Sequence, residues 1–597
     1  MPVRASTEAA APVPEQAPGT LPNGFPPEAA QRYRDLGLWT GQTHWGMVEE
    51  TIRRRPESLA VDDGVRRLTY AQLHDAVRVA SAHLTAAGVR QGARVVVQLP
   101  NSAAFLDAVL ALFRLGAVPV FALPAHGSLE VEHFCRISEA THYLGARSAG
   151  PDAAAVVQGL RERRPEVGVI AVDHRAEDPW GSGAAAAPAA GGSFEAGEPS
   201  VADEAPVPGS AGKAPVPGAV GEARGAARTP DPASTPPAAE VDPAALAFLQ
   251  LSGGTTGIPK LIPRTHDDYL YSVRRSVELC DLRPDDAMLV VLPCAHNFTM
   301  SSPGILGALQ VGASVVIAPD PSPSTCLRLV AEHGITQTAL VPPLLLSWLN
   351  APARSQHDLS SLRTLWVGGA KLSESVARRV APELGCVLQQ VFGMAEGLVN
   401  YTRLDDAIET VVGTQGAPMS PHDEVRILDD AGRPVPQGEP GHLQTRGPYT
   451  IRRYYRAPEH DARSFTEDGF YRTGDIVRMT PGGYLEVVGR AKDQINRGGE
   501  KVAPEAVENQ LLAHDAVHDA SVVGVPDEVL GEKICAYLIL RPEAREQAPT
   551  LPQLRSFLRG RGLARFAMPD VLRIVEEFPQ TGVGKVSKKH QRAAREG

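Results

Sequence analysis

The 597-residue sequence has few aromatic side chains, 5% of the total, and no surplus of positive charge: 59 Lys and Arg face 69 Asp and Glu, for a net charge of −10. Chains that neutralise phosphate backbones or anionic membranes need the opposite balance, so nucleic acid and membrane are excluded as main partners. Cysteine is scarce too. The six residues Cys135, Cys280, Cys294, Cys326, Cys386 and Cys535 form no CxxC pair. That spacing argues against a zinc site or a disulfide framework and fits a reducing, cytoplasmic setting. Long apolar runs are missing: the richest region, 95–124, is broken by Pro100, Asn101, Asp107 and Arg114. The N-terminal MPVRASTEAAAPVPEQAPG has no continuous apolar stretch of the kind a secretory signal carries. The GxxxxGK[ST] phosphate loop is absent as well, which disfavours kinases and ATPases of that class.

The residues that are present, 43% apolar and 21% charged, suit a globular chain too long for one hydrophobic core. Residues 1–28 are rich in Ala, Pro and Glu and read as a disordered leader. From 29 to 490 short apolar runs alternate with amphipathic segments, the grammar of an α/β fold. LTYAQLHDAVRVASAHLTAAG reads as a helix and ARVVVQLP as a buried strand; LAFLQLS, AMLVVLP, ASVVIAP, TQTALVPP and LRTLWVGG read as further strands. Residues 182–241 interrupt this alternation with Ala, Pro, Gly and acidic residues and a repeated APVPG. They read as a disordered insertion within one domain rather than a linker, because the motifs beyond them call on the α/β layers before them. A small α+β domain is expected over 491–597, opening on a helix with Pro504 in its first turn.

Five polar segments carry the chemistry. SGGTTGIPK places Ser252, Gly253, Gly254, Thr255, Thr256 and Lys260 after a strand, where small residues let backbone N–H groups approach a polyphosphate. FGMAEG, with Phe392, Gly393, Met394, Ala395 and Glu396, offers a carboxylate for Mg²⁺ at a strand end. YRTGD presents Asp475 as an acceptor for ribose hydroxyls. GRAKDQINRGGEKV supplies Arg490, Lys492, Gly498 and Gly499, and PQTGVGKVSKK supplies Lys585, a point charge for a developing oxyanion. Each alone has an ordinary reading, such as a turn, a surface carboxylate, a charged linker or a solvated basic tail.

In this order and over residues 30–590, the five segments resemble the adenylate-forming superfamily. The resemblance implies a large N-terminal domain of two sheet-bearing subdomains plus a β-barrel, and a small mobile α+β C-terminal domain. More narrowly, LPCAHNFTMSSPG, VGGAKLS and QQVFGMAEGLVNYTRLDD are similar to the stand-alone aryl acid-AMP ligases of siderophore and nonribosomal peptide biosynthesis, the 2,3-dihydroxybenzoate-AMP ligase type. That likeness implies contact of Asn297 with the aryl carboxylate or its ortho hydroxyl, and of Ser302 with a 3-hydroxyl. Gly368, Val391 and Val399 would wall a flat ring, with His296 closing the pocket. Two positions depart from the pattern: Phe298 stands where Tyr is common, and Trp366 where Gln is expected. The acid expected is 2,3-dihydroxybenzoate, with salicylate, 3-hydroxypicolinate or a bicyclic acid as the alternatives that either change would suit, since a phenyl ring lacks the phenol's donor and tryptophan adds bulk.

The implied reaction is ATP- and Mg²⁺-dependent formation of an aryl adenylate, with catalytic roles for Lys585, Glu396 and His296. Gly369, Ala370 and Lys371 would border the adenine, and Asp475 and Arg490 would hold the ribose. Rotation about Lys492 would then bring Gly498 and Gly499 to the thiol channel. The acceptor is expected to be the phosphopantetheine of a separate aryl carrier protein, or else coenzyme A. A non-catalytic interaction module is the remaining alternative, disfavoured because every expected charged position is filled.

Overall fold

The computed structural model describes residues 20–147, 150–181, 235–252, 260–497, 500–527, 530–561, 563, 565–580 and 586–593. Four sheets organise the described residues. The largest has nine strands in the order Ala417–Pro418, Gly397–Tyr401, Val387–Met394, Thr364–Gly368, Gln337–Leu340, Ala287–Val290, Ser314–Ile317, Leu59–Asp62 and Arg67–Thr69. The run from Val387–Met394 to Leu59–Asp62 is parallel throughout, and both ends of the sheet are antiparallel. Parallel strands covered on both faces read as continuous apolar runs, which is why these segments lack polar alternation.

A six-stranded sheet holds Gly168–Val172, His142–Ala146, Arg94–Gln98, Val118–Phe121, Leu246–Leu251 and Leu261–Thr265. The strands on either side of 182–241 therefore lie in one sheet. Of that stretch, 182–234 falls outside the described residues. Residues 239 and 240 are tied back to the body, Ala239 N–H donating to the Arg114 carbonyl at 2.9 Å and Gln91 to the Glu240 carbonyl at 2.8 Å. The helix Ala103–Arg114, whose twelve residues are all buried, shares one core with side chains of both large sheets. A helix apolar all round must be covered all round, and its one carboxylate, Asp107, is neutralised by Arg66.

The leader needs correcting. Residues 1–19 lie outside the described residues, but 20–28, assigned to it from composition, are packed. Phe25 is fully buried, edge-on to Tyr33 at 5.9 Å and to Trp39 at 5.2 Å. Asn23 donates to the buried Asp268 carboxylate at 2.9 Å, and the helix Pro27–Asp35 follows at once. One aromatic anchor and one buried acceptor outweigh an Ala- and Pro-rich neighbourhood, because burying a single phenyl group contributes about 2 kcal/mol.

Strands Glu424–Leu428, Gly441–Arg446, Tyr471–Met479 and Leu485–Arg490 form a four-stranded antiparallel sheet in that order. The chain leaves it through the short 3₁₀ turn Ala491–Asp493 and enters the C-terminal sheet at Ile495–Arg497. This smaller α+β part packs Ile495, Val522, Ile534 and Leu538 against helices Pro504–Leu512 and Leu551–Gly560. Pro504 occupies the first helical turn, where its missing N–H costs nothing. No helix among the described residues is long and apolar enough to cross a membrane.

Candidate active site

In a mostly parallel sheet the loops at the carboxyl ends of the strands share one edge, and ligands bind in the crevice there. Strand Thr364–Gly368 runs into Gly369 and Ala370, both exposed. Strand Val387–Met394 runs into Ala395 and Glu396, then reverses as Gly397–Tyr401. Strand Ala287–Val290 leads to His296 and the short helix Asn297–Ser301. Parallel pairing therefore collects FGMAEG, VGGAKLS and LPCAHNFTMSSPG on one rim.

Glu396 sits in the tightest of these turns. Gly397 has φ +152°, and a Cβ there would lie 2.4 Å from the Thr450 backbone, so only glycine lets the turn close. The Ile451 N–H donates to the Glu396 carbonyl at 2.8 Å. The buried Glu396 carboxylate accepts from the Tyr454 hydroxyl through Oε1 at 2.9 Å, and that hydroxyl is 3.1 Å from the Tyr471 hydroxyl. Burial, reinforced by Glu396, pushes both phenols well above their ordinary range, so both stay protonated. The Lys260 ammonium lies over the Tyr454 ring, 4.1 Å from its centre. Burial lowers the Lys260 pKa, and the negative charge of Glu396 works against that fall. Lys260 is anchored through its backbone: its N–H donates to the Ser252 hydroxyl at 3.0 Å, and its carbonyl accepts from the Ser252 N–H at 2.9 Å. Gly253, Gly254, Thr255 and Thr256, the rest of that motif, lie outside the described residues.

Asp475 is buried on strand Tyr471–Met479, directly opposite Arg490 on Leu485–Arg490. The pair is joined by a 2.8 Å ion pair, with the Arg490 side chain 45% exposed. Burial raises the Asp475 pKa and the guanidinium opposes that rise. A carboxylate backed by an exposed cation in this way suits the hydroxyls of a ribose, which donate to the one and accept from the other. Lys371 behaves differently from its neighbours. Its ammonium donates to the Val487 carbonyl at 2.9 Å and lies 3.7 Å from Glu486, which leaves Gly369 and Ala370 as the open part of that loop.

The apolar wall comes from side chains that alternate along the strands. Gly368, Val391 and Trp366 point to one face of the large sheet, whereas Leu365 and Val367 point to the other. A Cβ on Gly368 would meet the Val391 carbonyl at 2.8 Å and the Phe298 ring at 3.3 Å. Across the reversal, a Cβ on Gly393 would meet Val399 at 3.2 Å. Phe392 and Met394 are half-buried and pack below. On the rim, His296 caps its helix by accepting the Phe298 N–H through Nδ1 at 3.3 Å. Asn297 Oδ1 accepts from the Tyr269 hydroxyl at 2.8 Å. Ser302 is buried, with its hydroxyl against the Tyr401 phenol. Trp366, one of the two positions that depart from the expected pattern, is fully buried and donates from Nε1 to Gln389 at 3.0 Å.

Lys585, Gly498 and Gly499 lie outside the described residues. On either side of 581–585 in the sequence, Gln580 and Val586 are paired as a β-bridge. With Pro343, from the rim of the large sheet, they line a cleft of about 340 Å³. Lys492 is exposed in the turn between the sheets. Tyr454, Tyr471 and Tyr269 escaped the sequence reading. Only Tyr471 carried a signal, its place at the head of YRTGD.

Comparison with known proteins agrees with this arrangement. Residues 48–455 match the AMP-binding enzyme family, and residues 506–585 match the AMP-binding enzyme C-terminal domain. Over 571 residues the chain is 48% identical to 2,3-dihydroxybenzoate-AMP ligase of Bacillus subtilis, covering 96% of this chain and 97% of the relative. It is 42% identical over 572 residues to salicyl-AMP ligase / salicyl-S-ArCP synthetase of Mycobacterium tuberculosis, covering 95% and 93%. The solved apo structure of MbtA from Mycobacterium smegmatis matches with a TM-score of 0.66 and 41% identity, covering 96% of this chain and 98% of that one. With two thirds of its length inside one family match and near-complete overlap with such relatives, the chain belongs to the AMP-binding enzymes, as one of their aryl acid-AMP ligases.

Proposed function

We propose that this ligase activates 2,3-dihydroxybenzoate with ATP and passes the aryl group to the phosphopantetheine thiol of an aryl carrier protein. The observation that supports the reading best is the 48% identity over 96% of this chain to a 2,3-dihydroxybenzoate-AMP ligase, together with Asn297 at the rim beside the apolar Phe298, Gly368 and Val391, since a flat acid needs apolar walls and a few placed polar groups. Asn297 and the Ser302 hydroxyl would supply the partners for polar substituents on such an acid's ring. Salicylate is the second reading, favoured by the contact Ser302 already makes with Tyr401.

The acid's carboxylate attacks the α-phosphorus of ATP, a P–O bond forms, and pyrophosphate leaves with the electron pair of the broken bond. The protein contributes orientation and charge. Asp475 and Arg490 would fix the ribose, Gly369 and Ala370 would flank the adenine, and Lys260 would draw the polyphosphate toward Glu396. Lys585 would neutralise the oxyanion. Glu396 fits a Mg²⁺ ligand because it offers a hard oxygen donor. Among the described residues no group of three or more His, Cys, Asp or Glu is placed to hold a metal, so the shell would be completed by phosphate and water oxygens, as Mg²⁺ commonly is. When bound, the metal supplies neutralisation of phosphate charge. A turn of the C-terminal part about Lys492 would then admit the thiol, which attacks the acyl carbon and releases AMP.

The test is aryl-acid-dependent exchange of labelled pyrophosphate into ATP with 2,3-dihydroxybenzoate, salicylate, benzoate and 3-hydroxypicolinate side by side. Selective exchange with 2,3-dihydroxybenzoate is expected; preference for salicylate would establish the second reading, and no exchange with any aryl acid would overturn both. Loading of a phosphopantetheinylated carrier in preference to coenzyme A checks the acceptor.

A further inference from the structure

We propose that Tyr269 is a positioning residue for the acid substrate: its hydroxyl fixes the Asn297 amide so that the NH₂ group, not the oxygen, faces the aryl acid. The inference rests on the reading of Asn297 as an acid contact.

Tyr269 lies on the helix His266–Leu279, on an element separate from the one that carries Asn297. Only 1% of Tyr269 is exposed. Its ring is held edge-on by Phe248 at 4.6 Å, and the Arg264 guanidinium covers its face at 5.0 Å. The hydroxyl therefore has little freedom, and it reaches Asn297 Oδ1 at 2.8 Å. Burial keeps the phenol protonated by raising its pKa, with the Ser301 hydroxyl against its oxygen. The phenol could donate to an amide oxygen or accept from an amide NH₂, and here it meets Oδ1 as the donor. The bond thus assigns the two ends of the Asn297 amide.

The chemical consequence follows from the substrate. A carboxylate or an ortho hydroxyl oxygen needs a donor at this rim. An unfixed amide turns freely between two nearly isosteric orientations, one of which sets oxygen against oxygen. Holding Oδ1 removes the repulsive orientation before the acid arrives, so less binding energy goes into ordering the side chain. Asn297 is half-buried and has no covalent constraint of its own to do this.

The experiment is pyrophosphate exchange on the full chain, with KM measured separately for the acid and for ATP in Tyr269→Phe, Asn297→Ala and the double variant. Tyr269→Phe is expected to raise the acid KM about tenfold, the usual effect of losing one such bond, and to leave the ATP KM unchanged. In the Asn297→Ala background Tyr269→Phe is expected to add nothing, since both act through one group. Additive effects, or equal rises in both KM values, would overturn the proposal and leave Tyr269 a core residue. If Tyr269→Phe does not fold, Asn297→Asp asks the same question. It keeps an oxygen for Tyr269 but turns a second oxygen to the acid, so an acid KM equal to that of the wild type would overturn the proposal. Absence of aryl-acid exchange in the wild type would overturn the functional reading itself, and this inference with it.

Discussion

The Tyr454 hydroxyl donates to Glu396 Oε1 across 2.9 Å, although the two residues are 58 positions apart. The bond holds the carboxylate at the turn where strand Val387–Met394 reverses. Glu396→Gln keeps the shape and removes the charge; it is expected to lower kcat for pyrophosphate exchange by ~10²–10³, the range for losing one electrostatic group at a reacting phosphate. Tyr454→Phe leaves the charge and is expected to cost about tenfold. A Mg²⁺ titration of exchange activity checks both, with Glu396→Gln requiring more metal.

Asp475 and Arg490 are paired at 2.8 Å across adjacent strands. Asp475→Asn is expected to raise the ATP KM by roughly 10-fold or more while leaving the acid KM within about twofold, because a ribose contact discriminates nucleotide and not acid. Steady-state exchange kinetics with each substrate varied in turn measures the split.

Gly368 lets Val391 and the Phe298 ring pack against bare backbone. Gly368→Ala places a Cβ 2.8 Å from the Val391 carbonyl and 3.3 Å from the Phe298 ring. It is expected to raise the acid KM more than tenfold and to lower unfolding stability by about 1–3 kcal/mol through overpacking. Exchange kinetics and urea unfolding, measured on the same preparation, separate the two effects.

His44 and His266 meet in the core with their Nδ1 atoms 2.6 Å apart. The His44 backbone N–H also donates to His266 Nδ1, so that nitrogen is the acceptor and His44 carries the shared proton. Burial lowers both pKa values, that of His266 to about 4. The unfolded chain binds protons at these sites from about pH 6.5 downward. The pair's contribution to stability is therefore fully present above that pH and is lost as pH falls toward 4. Urea midpoints from pH 7 to 4.5 are expected to fall, and to fall less steeply in His266→Gln than in the wild type.

Lys585→Ala is expected to abolish adenylate formation yet spare thioester formation from preformed aryl adenylate. Single-turnover assays of the two half-reactions check this; loss of both would refute a two-conformation cycle about Lys492.

The strands and most helices were legible from the chain because their signals are local. RVVVQ and LTYAQLHDAVRV carry their periodicity within a few residues. The failure at 20–28 has the opposite cause. Phe25 and Asn23 gain their partners from Trp39 and Asp268, and composition over a short window does not see a buried acceptor 245 positions away. The partner of Trp366 was hidden for a related reason: its indole proton goes to Gln389 of the next strand, 23 positions away.

By itself the sequence determined the order of the polar segments, their residue types and the α/β alternation that delivers them, since backbone preference and side-chain period are properties of neighbours along the chain. Only the tertiary structure decided that Tyr454 holds Glu396, that Tyr269 holds Asn297 and that Gly368 lies between Phe298 and Val391. Those contacts close over tens to hundreds of residues. They are selected by the register of parallel strands and the packing of helices upon them, which no local pattern encodes.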